Sequence, residues 1–579
     1  IPMNGKITFT NINEEGYSYT YNLSDVNIEL RDGQYSIKVA GTGEYPVAMT
    51  LSPDVKIAGA KADATVNFTK LTSWNFGALN KEFGGQGIES INNKKFYYGL
   101  QLSDTAVAEN KTYLLMSAGG EIVVPVKAGD IVTINYCYSA SFKINDGSIL
   151  TVDEKSGSTG QIDSVSYTAT ESGYITISCF TGEKASQTYV TGITVTTPVE
   201  YKDVLTVGAT GCDYKTINEA LDAVKEMNRP NNERVTIEIQ PGNYEEMLVV
   251  DVPNVTLKNA SSKPSIDLTN KGVDISAEAV RITSYYGHGY SYYSMGKDNK
   301  YDANALAVNK ANDYLSQHNP GSGTTNGSYW NATVVVMADG FNAEGIIFEN
   351  SFNQYISEKE ANDVVVLETG NKGVRSTTVG DTAVQDKTFV ERAAALAITN
   401  NVQKASFDNC RFVGRQDTLY GGENVTASFY KSAIMGGTDY IFGGMTAVFY
   451  KCDLVHNTSE NSNDVTYITA AQQKSGRGYL MYNCTVTSTT PGVDTASAKT
   501  SKPGYLGRPW QANTSEVVFY KTIIGATNFS DRLQSLIIPE GWTSTLVGQS
   551  KFMYEYGTME SLEGTDNLAQ RASWSTVLK

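Results

Sequence analysis

The last two thirds of the chain repeat a short pattern of apolar and polar positions. Each copy has an apolar residue, a polar pair, a small residue (Ser, Cys or Thr) and a further apolar alternation. The copies lie at 348–351, 407–412, 429–434, 449–454, 481–486 and 519–524. The small residues Cys410, Ser432 and Cys452 follow one another after 22 and 20 positions. This spacing predicts a parallel β-helix in which each coil contributes three short strands and the small residues stack inside.

One amphipathic helix is predicted before the repeats begin. Ile217, Ala220, Leu221 and Val224 fall at positions i, i+3, i+4 and i+7, the period of a helix with one buried face. We expect this helix to cover one end of the β-helix, where a sheet edge would otherwise be exposed.

The first 200 residues alternate with period two between turn signals, which is typical of strands with one buried face. We divide the chain into a small β-sandwich at 1–68, a second β-sandwich at 69–198 and the β-helix at 199–579. The second block loosely resembles carbohydrate-binding modules of polysaccharide-degrading enzymes. For Trp74 we favour a core position over sugar stacking. The predicted fold class is all-β throughout.

Composition excludes several classes of partner. The 579 residues carry a net charge of -16, and nucleic acid or an anionic membrane surface would favour clustered Lys and Arg instead. The sequence has no run of 18 apolar residues, so it predicts no membrane-spanning helix. The six cysteines lack CxxC spacing and there are three histidines, so we predict no transition-metal site. Cys410 and Cys452 should lie two coils apart, too far for a disulfide, whereas pairing of Cys137 with Cys179 stays open.

Two aspartates stand out because 22 residues, one predicted coil, separate them. Asp417 and Asp439 both lie among glycines and aromatic residues. Strands on adjacent coils are about 4.8 Å apart, so the two carboxylates should approach to about 5–6 Å. Carboxylates this close titrate as a pair and can supply an acid beside an ionised nucleophile.

Four motifs around these aspartates resemble the successive signatures of the pectin methylesterase family over about residues 205–579. Residues 416–420 read Gln-Asp-Thr-Leu-Tyr, 439–443 Asp-Tyr-Ile-Phe-Gly, 504–510 Gly-Tyr-Leu-Gly-Arg-Pro-Trp, and 242–246 Gly-Asn-Tyr-Glu-Glu. The resemblance implies a right-handed parallel β-helix that hydrolyses the methyl esters of polygalacturonate (pectin) to carboxylate and methanol. It implies no metal and no cofactor.

The resemblance also implies individual roles. Asp439 matches the nucleophile, and Asp417 matches the acid that protonates methanol and then acts as the base toward water. Gln416 matches a donor to the oxyanion, and Arg508 matches the group that holds Asp439 and lowers its pKa. Trp510 and Phe442 match aromatic residues that line the substrate groove. We expect Arg392 and Arg415 to bind substrate in the same groove.

Two of these residues depart from the family pattern. Arg392 stands where the family usually has a second oxyanion glutamine, and Arg415 stands where it often has an aromatic residue. Arg392 would replace the missing donor or bind a neighbouring galacturonate. For Arg415 our hypothesis is a groove contact with a free substrate carboxylate.

Other readings stay open at this point. The same scaffold could carry a glycosidase or lyase site, since carboxylate pairs also serve those reactions, or could bind pectin without catalysis. The tyrosine-rich stretch 284–330 forms either a groove wall or a self-packed loop. We expect a monomer that is secreted, periplasmic or on the cell surface, with any signal peptide absent from this chain.

Overall fold

The structure is a computed structural model. It describes side chains in residues 72–77, 100–103, 113–137, 141–150, 163–180, 187–287, 332–367, 373–388, 390–461, 463–546 and 548–578, and elsewhere only the backbone of some strands. The chain separates into two compact units, residues 1–199 and 200–579. The further division at residue 68 stays a prediction.

The described strands of the first unit form three sheets. In the first block the backbone pairs six strands, which lie side by side in the order Ser18–Asn22, Lys6–Asn11, Ala64–Lys70, Met49–Thr50, Gln34–Val39 and Val26–Arg31. The second block has one sheet of Ile149–Thr151, Ser141–Ile144, Gly173–Cys179, Glu121–Val126, Leu100–Leu102, Lys94–Tyr97 and Glu89–Ile91. Its other sheet contains Val107–Glu109, Leu114–Ser117, Gln187–Thr196, Ile131–Cys137 and Ile162–Thr168, with Ser73–Asn75 paired to Gln187–Thr196.

Both sheets of the second block bury their inner faces in one core, as in a β-sandwich. Trp74 is 3 % exposed within that core, so its predicted core position is confirmed. Cys137 and Cys179 are buried free thiols, which answers the open question of their pairing.

The second unit winds through three sheets of parallel strands. Sheet one contains Val204–Val207, Val235–Ile239, Val255–Asn259, Asn342–Glu344, Ala405–Asp408, Thr426–Tyr430, Thr446–Tyr450, Tyr479–Tyr482, Val517–Tyr520, Met553–Tyr556 and Thr576–Leu578. Sheet two contains Gly242–Glu245, Val280–Ser284, Ile346–Asn350, Arg411–Val413, Ala433–Gly436, Asp453–His456, Thr485–Ser488, Ile523–Ile524 and Met559–Glu560. Sheet three contains Leu248–Val250, Val334–Val336, Leu396–Ile398, Leu419–Gly421, Ile441–Gly443, Tyr467–Ala471 and Tyr505–Gly507.

From Val235 to Gly507 each coil visits the three sheets in turn, and the described strands of the later coils belong to sheets one and two. The predicted parallel β-helix is therefore confirmed, and its right-handed winding is the hand expected for connections between parallel strands. Short excursions leave the coils as the paired strands Leu268–Thr269 with Asp274–Ile275, Val366–Leu367 with Gly373–Val374, and Ala526–Phe529 with Arg532–Ser535. Helical excursions are Asn270–Gly272, Ser351–Asn353, Glu358–Asp363, Ala383–Asp386 and Leu568–Gln570.

The predicted helix spans Ile217–Glu226. The Thr216 hydroxyl caps the first turn by accepting a hydrogen bond from the Glu219 amide. The Glu219 carboxylate accepts a hydrogen bond from the Thr216 amide in return, which completes a capping box. All four predicted apolar positions are buried. They pack against the first strands of sheets one and three, so the helix covers the N-terminal end of the β-helix as expected.

Stacked side chains fill the inside of the coils. Phe429 lies between Phe407 and Phe449, at 4.8 and 4.5 Å between ring centroids and nearly coplanar orientation. The small residues predicted to form an interior ladder are buried as well, namely Ser351, Cys410, Ser432, Cys452, Cys484 and Thr522. The strand register repeats the predicted steps, because Phe407 pairs with Phe429 and Phe429 pairs with Phe449.

We expect Phe429→Ala to lower the free energy of unfolding by about 3–5 kcal/mol, because it removes the middle ring of the stack and leaves a cavity. Urea-induced unfolding of the full chain measures the change. Val448→Ala is the control, because Val448 points outward from the next strand and is 39 % exposed; it should change stability by less than about 0.5 kcal/mol. Equal losses in the two variants would contradict the interior stack.

Candidate active site

Asp417 and Asp439 occupy equivalent positions on adjacent coils. Each lies two residues before a strand of sheet three, and those strands pair Leu419 with Ile441. The Asp417 amide donates to the Thr438 carbonyl at 3.0 Å, which ties the two turns together. The 22-residue coil inferred from the sequence therefore places the two aspartates side by side.

Both aspartates adopt the left-handed backbone region, with φ of 61° at Asp417 and 52° at Asp439. Few residues other than glycine adopt this region, although Asp does so more readily than most. The two residues are also both 6 % exposed. Two successive coils thus repeat one unusual corner and present one partly buried carboxylate at each.

Arg508 holds Asp439 through two hydrogen bonds. Its Nε and Nη2 donate to the two carboxylate oxygens at 2.8 and 2.6 Å, the paired geometry that makes Arg–carboxylate contacts strong. Its third nitrogen donates to Thr545 at 3.3 Å. Asp439 is therefore fixed in orientation, with its oxygens aligned by the guanidinium.

Tyr467 supports the guanidinium from one side, with its ring centre 4.0 Å from the Arg508 Cζ atom. The preceding residue, Gly507, packs closely against the neighbouring coil, because a Cβ there would meet the Thr469 hydroxyl at 2.0 Å and its carbonyl at 2.6 Å. Sequence reasoning identified Arg508 but missed Tyr467. The coil from Tyr467 to its partner Tyr505 is 38 residues long, so the 20–22 residue period gave no signal for it.

Arg392 lies beside the other carboxylate. Its Nε is 3.9 Å from Asp417 Oδ2, and Arg392 and Gln416 form an isolated parallel bridge. The Arg392 side chain is 25 % exposed, so it borders both the pair and the solvent. Arg508 is therefore the arginine next to Asp439, and Arg392 is the arginine next to Asp417.

Burial and these arginines act on Asp439 in opposite directions. Burial is the larger influence and raises the pKa of the Asp439 carboxyl above its ordinary value, while the hydrogen bonds and charge of Arg508 and the charge of Arg392 lower it. The sequence-based expectation considered only the lowering effect of Arg508. Asp439 therefore lies in a nearly dry corner, where its carboxylate is less solvated than in water.

The chain was compared with known proteins. Residues 371–579 match the family model described as Pectinesterase. This segment is therefore similar to pectinesterases. The resemblance predicted from the motifs is therefore confirmed, and with it the class of carboxylic ester hydrolase.

The chain is similar to several pectinesterases, and the share of each relative that the similarity covers varies. Probable pectinesterase A of Aspergillus niger is 26 % identical over 378 residues, which are 65 % of this chain and 83 % of that protein. Probable pectinesterase A of Neosartorya fischeri is 34 % identical over 164 residues, 28 % of this chain and 44 % of that protein. Among solved structures, the deglycosylated Aspergillus niger pectin methylesterase is 24 % identical, covering 66 % of this chain and 92 % of that chain with a TM-score of 0.41. The carrot enzyme is 20 % identical, covering 65 % and 88 %, also with a TM-score of 0.41.

Other predicted groove residues of the pectinesterase domain differ in exposure. Trp510 is 39 % exposed, so its ring is available to a ligand. Phe442 is 6 % exposed and packs on Tyr420 at 5.0 Å, which leaves only a small edge for a sugar. In the tyrosine-rich stretch 284–330, for which a groove wall and a self-packed loop were both open, Tyr285 and Tyr286 are buried, and the other tyrosines lie outside the described residues.

Arg415 does not reach the groove, which corrects the hypothesis of a contact with a substrate carboxylate. It is 1 % exposed and donates to the Gln385 carbonyl at 3.0 Å and to the Gln385 side-chain oxygen at 3.4 Å. Burial lowers the pKa of Arg415 to about 10, so it stays charged at neutral pH. The motif could not show this, because the side chain before Gln416 turns inward at a corner outside any regular strand.

Gln385 links Arg415 to two surface excursions. Its side-chain oxygen also accepts from the Ala496 amide at 2.7 Å, and its side-chain nitrogen donates to the Gln354 carbonyl at 2.8 Å. Arg415 therefore anchors the Gln416–Asp417 corner from inside the protein.

Two absences concern the described part of the chain. There, no three His, Cys, Asp or Glu side chains converge into a metal-binding group, and the predicted lack of a metal stays a prediction. Among the same residues no helix has the length and apolar character needed to cross a membrane.

We expect Arg415→Ala to lower the free energy of unfolding by about 2–4 kcal/mol, because it leaves a cavity and an unpaired buried carbonyl. Methanol release should fall by the same factor on weakly and highly methylated pectin. The control is Arg477→Ala, since Arg477 is 79 % exposed in a surface ion pair with Glu516 and should change stability little. A loss of activity confined to weakly methylated pectin, at unchanged stability, would restore the groove hypothesis.

Proposed function

We propose that this protein hydrolyses the methyl esters of pectin with Asp439 as the nucleophile and Asp417 as the acid and base. The observation that carries the proposal is the pair of carboxylates on adjacent corners, one held by two of the three guanidinium nitrogens of Arg508. Relatives named pectinesterase over the same segment support the choice of substrate.

In the first half-reaction an Asp439 oxygen attacks the ester carbonyl carbon. The carbonyl oxygen gains the negative charge, and Gln416 and Arg392 are the candidate donors to it. The bond to the methoxy oxygen then breaks, Asp417 transfers its proton to that oxygen, and methanol leaves. The product is an anhydride between Asp439 and the galacturonyl group.

In the second half-reaction Asp417, now ionised, removes a proton from water. The resulting hydroxide attacks the galacturonyl carbon, and the bond to Asp439 breaks. Asp439 regains its charge beside Arg508, and Asp417 regains its proton. One residue therefore serves both steps without a metal or cofactor.

The cellular setting is part of the same proposal. A polymer substrate of plant cell walls requires the enzyme to act outside the cytoplasm, so we place it as secreted, periplasmic or on the cell surface. We expect it to work as a monomer, with Trp510 and the edge of Phe442 contacting sugar rings.

The direct test is methanol release from pectins of graded esterification. Asp439→Asn and Asp417→Asn should each lower the rate by roughly a thousandfold or more, because each removes a group that acts in both half-reactions. Asp531→Asn is the matched control, since Asp531 also has a left-handed backbone, with φ of 58°, but is exposed on a distant hairpin. Wild type should create no new reducing ends and no unsaturated products; either would favour a glycosidase or a lyase.

Arg392 has a separate test. Arg392→Ala should lower kcat by about a hundredfold, the usual cost of removing one donor to an oxyanion, with a smaller change in KM. Arg392→Gln should recover part of the rate because it returns a neutral donor. If both variants change KM alone, Arg392 binds a neighbouring sugar instead; unchanged kinetics would remove it from the site.

A further inference from the structure

A row of tyrosines and lysines runs along the outside of the β-helix at the corner between sheets one and two. Strand pairing aligns five tyrosines on successive coils, namely Tyr430, Tyr450, Tyr482, Tyr520 and Tyr556. The residue after each tyrosine turns the corner with positive φ; these residues are Lys431, Lys451, Asn483, Lys521 and Gly557. We call these ten residues the tyrosine–lysine row.

The rings of the row stack on one another. Tyr430 and Tyr450 are 5.5 Å apart at 21°, Tyr450 and Tyr482 are 5.0 Å apart at 23°, and Tyr520 and Tyr556 are 5.0 Å apart at 15°. The stack turns once, because Tyr482 and Tyr520 meet at 70°. Tyr482 is also 36 % exposed. A ring is therefore accessible in the middle of the row.

Each lysine lies over the tyrosine that precedes it, at 5.0, 5.2 and 5.4 Å from the ring centre for Lys431, Lys451 and Lys521. In the part of the chain that the structure describes, no carboxylate lies within ion-pair distance of these three ammonium groups. Asp408 precedes the row on sheet one, and Asp453 follows Cys452 on sheet two. The row is thus a line of cations on a protein whose net charge is -16.

The exposed ring lies between two of these cations. Lys451 and Lys521 are on the coils before and after Tyr482, so about 9–10 Å separates them along the axis. Asn483 replaces lysine beside that ring and offers an amide. Asn483, Lys521 and Tyr556 also line a cavity of about 900 Å³, whose other lining residues are mostly apolar and include Asp566.

We propose that the tyrosine–lysine row binds de-esterified polygalacturonate, at a site separate from the Asp417–Asp439 pair. The catalytic corner joins sheets two and three, whereas the row lies where sheets one and two meet. The choice of ligand rests on the proposed function, because this polymer is the product of that reaction.

The chemistry of the row fits a linear acidic sugar chain. Its cations repeat along a straight axis, and a uronate polymer presents one carboxylate on each sugar along its length. An exposed tyrosine ring and an amide between the cations are groups that pack on and hydrogen-bond to sugars. Because the protein is acidic overall, a polyanion would be held only where cations are concentrated locally.

The test uses Lys431→Asn, Lys451→Asn and Lys521→Asn combined in the full chain. Asparagine suits the left-handed backbone, and the chain already uses it in this position at Asn409 and Asn483. The control variant combines Lys202→Gln, Lys215→Gln and Lys263→Gln, which change the net charge equally at exposed positions. Affinity for fully de-esterified polygalacturonate is measured by affinity electrophoresis at low and moderate salt.

We expect the row variant to bind polygalacturonate at least tenfold more weakly at low salt, and the control variant to retain this binding. Tyr482→Ala should lose part of the affinity. Methanol release from short methylated oligogalacturonates should be unchanged in the row variant, which separates this proposal from the catalytic one. Unchanged binding, or an equal loss in the control variant, would overturn the proposal. The proposal would also be overturned if wild type bound single-stranded DNA as tightly as polygalacturonate and the row variant lost both affinities equally, because the row would then bind any polyanion.

Discussion

The register between adjacent coils is the constraint on which the site depends. Parallel pairing of Leu419 with Ile441 brings residues 22 positions apart to the same corner, and the interior stacks hold that register because a slip would displace every buried ring. Without this pairing Asp417 and Asp439 would not lie side by side. The hydrophobic core therefore sets the geometry of the carboxylates as directly as any contact between them.

Two arginines contact different members of the aspartate pair. Arg508 grips Asp439 with two hydrogen bonds while Tyr467 covers its guanidinium. Arg392 is only loosely placed beside Asp417, at 3.9 Å. A rigidly held carboxylate suits the nucleophile, whose direction of attack is fixed. In the proposed mechanism Asp417, which lies beside Arg392, delivers a proton to methanol and later removes one from water.

Periodic features of the sequence predicted the scaffold well. The steps from Cys410 to Ser432 and Cys452 gave the coil, and Ile217 to Val224 gave the helix, because each reflects one repeating pattern of burial. The pair of aspartates followed from the same period. Side chains at irregular corners were not predictable in this way. Arg415 and Tyr467 are placed by excursions of variable length, so the inward direction of one and the packing of the other depend on contacts distant in sequence.

The role of Asp439 as nucleophile can be tested most directly by trapping the covalent intermediate. Wild-type protein is quenched in hydroxylamine during turnover of methylated pectin, and its peptides are analysed by mass spectrometry. An anhydride at Asp439 predicts a hydroxamate on that residue, none on Asp417, and none when Asp439→Asn is treated alike. A hydroxamate on Asp417, or sustained methanol release by Asp439→Asn, would contradict the account.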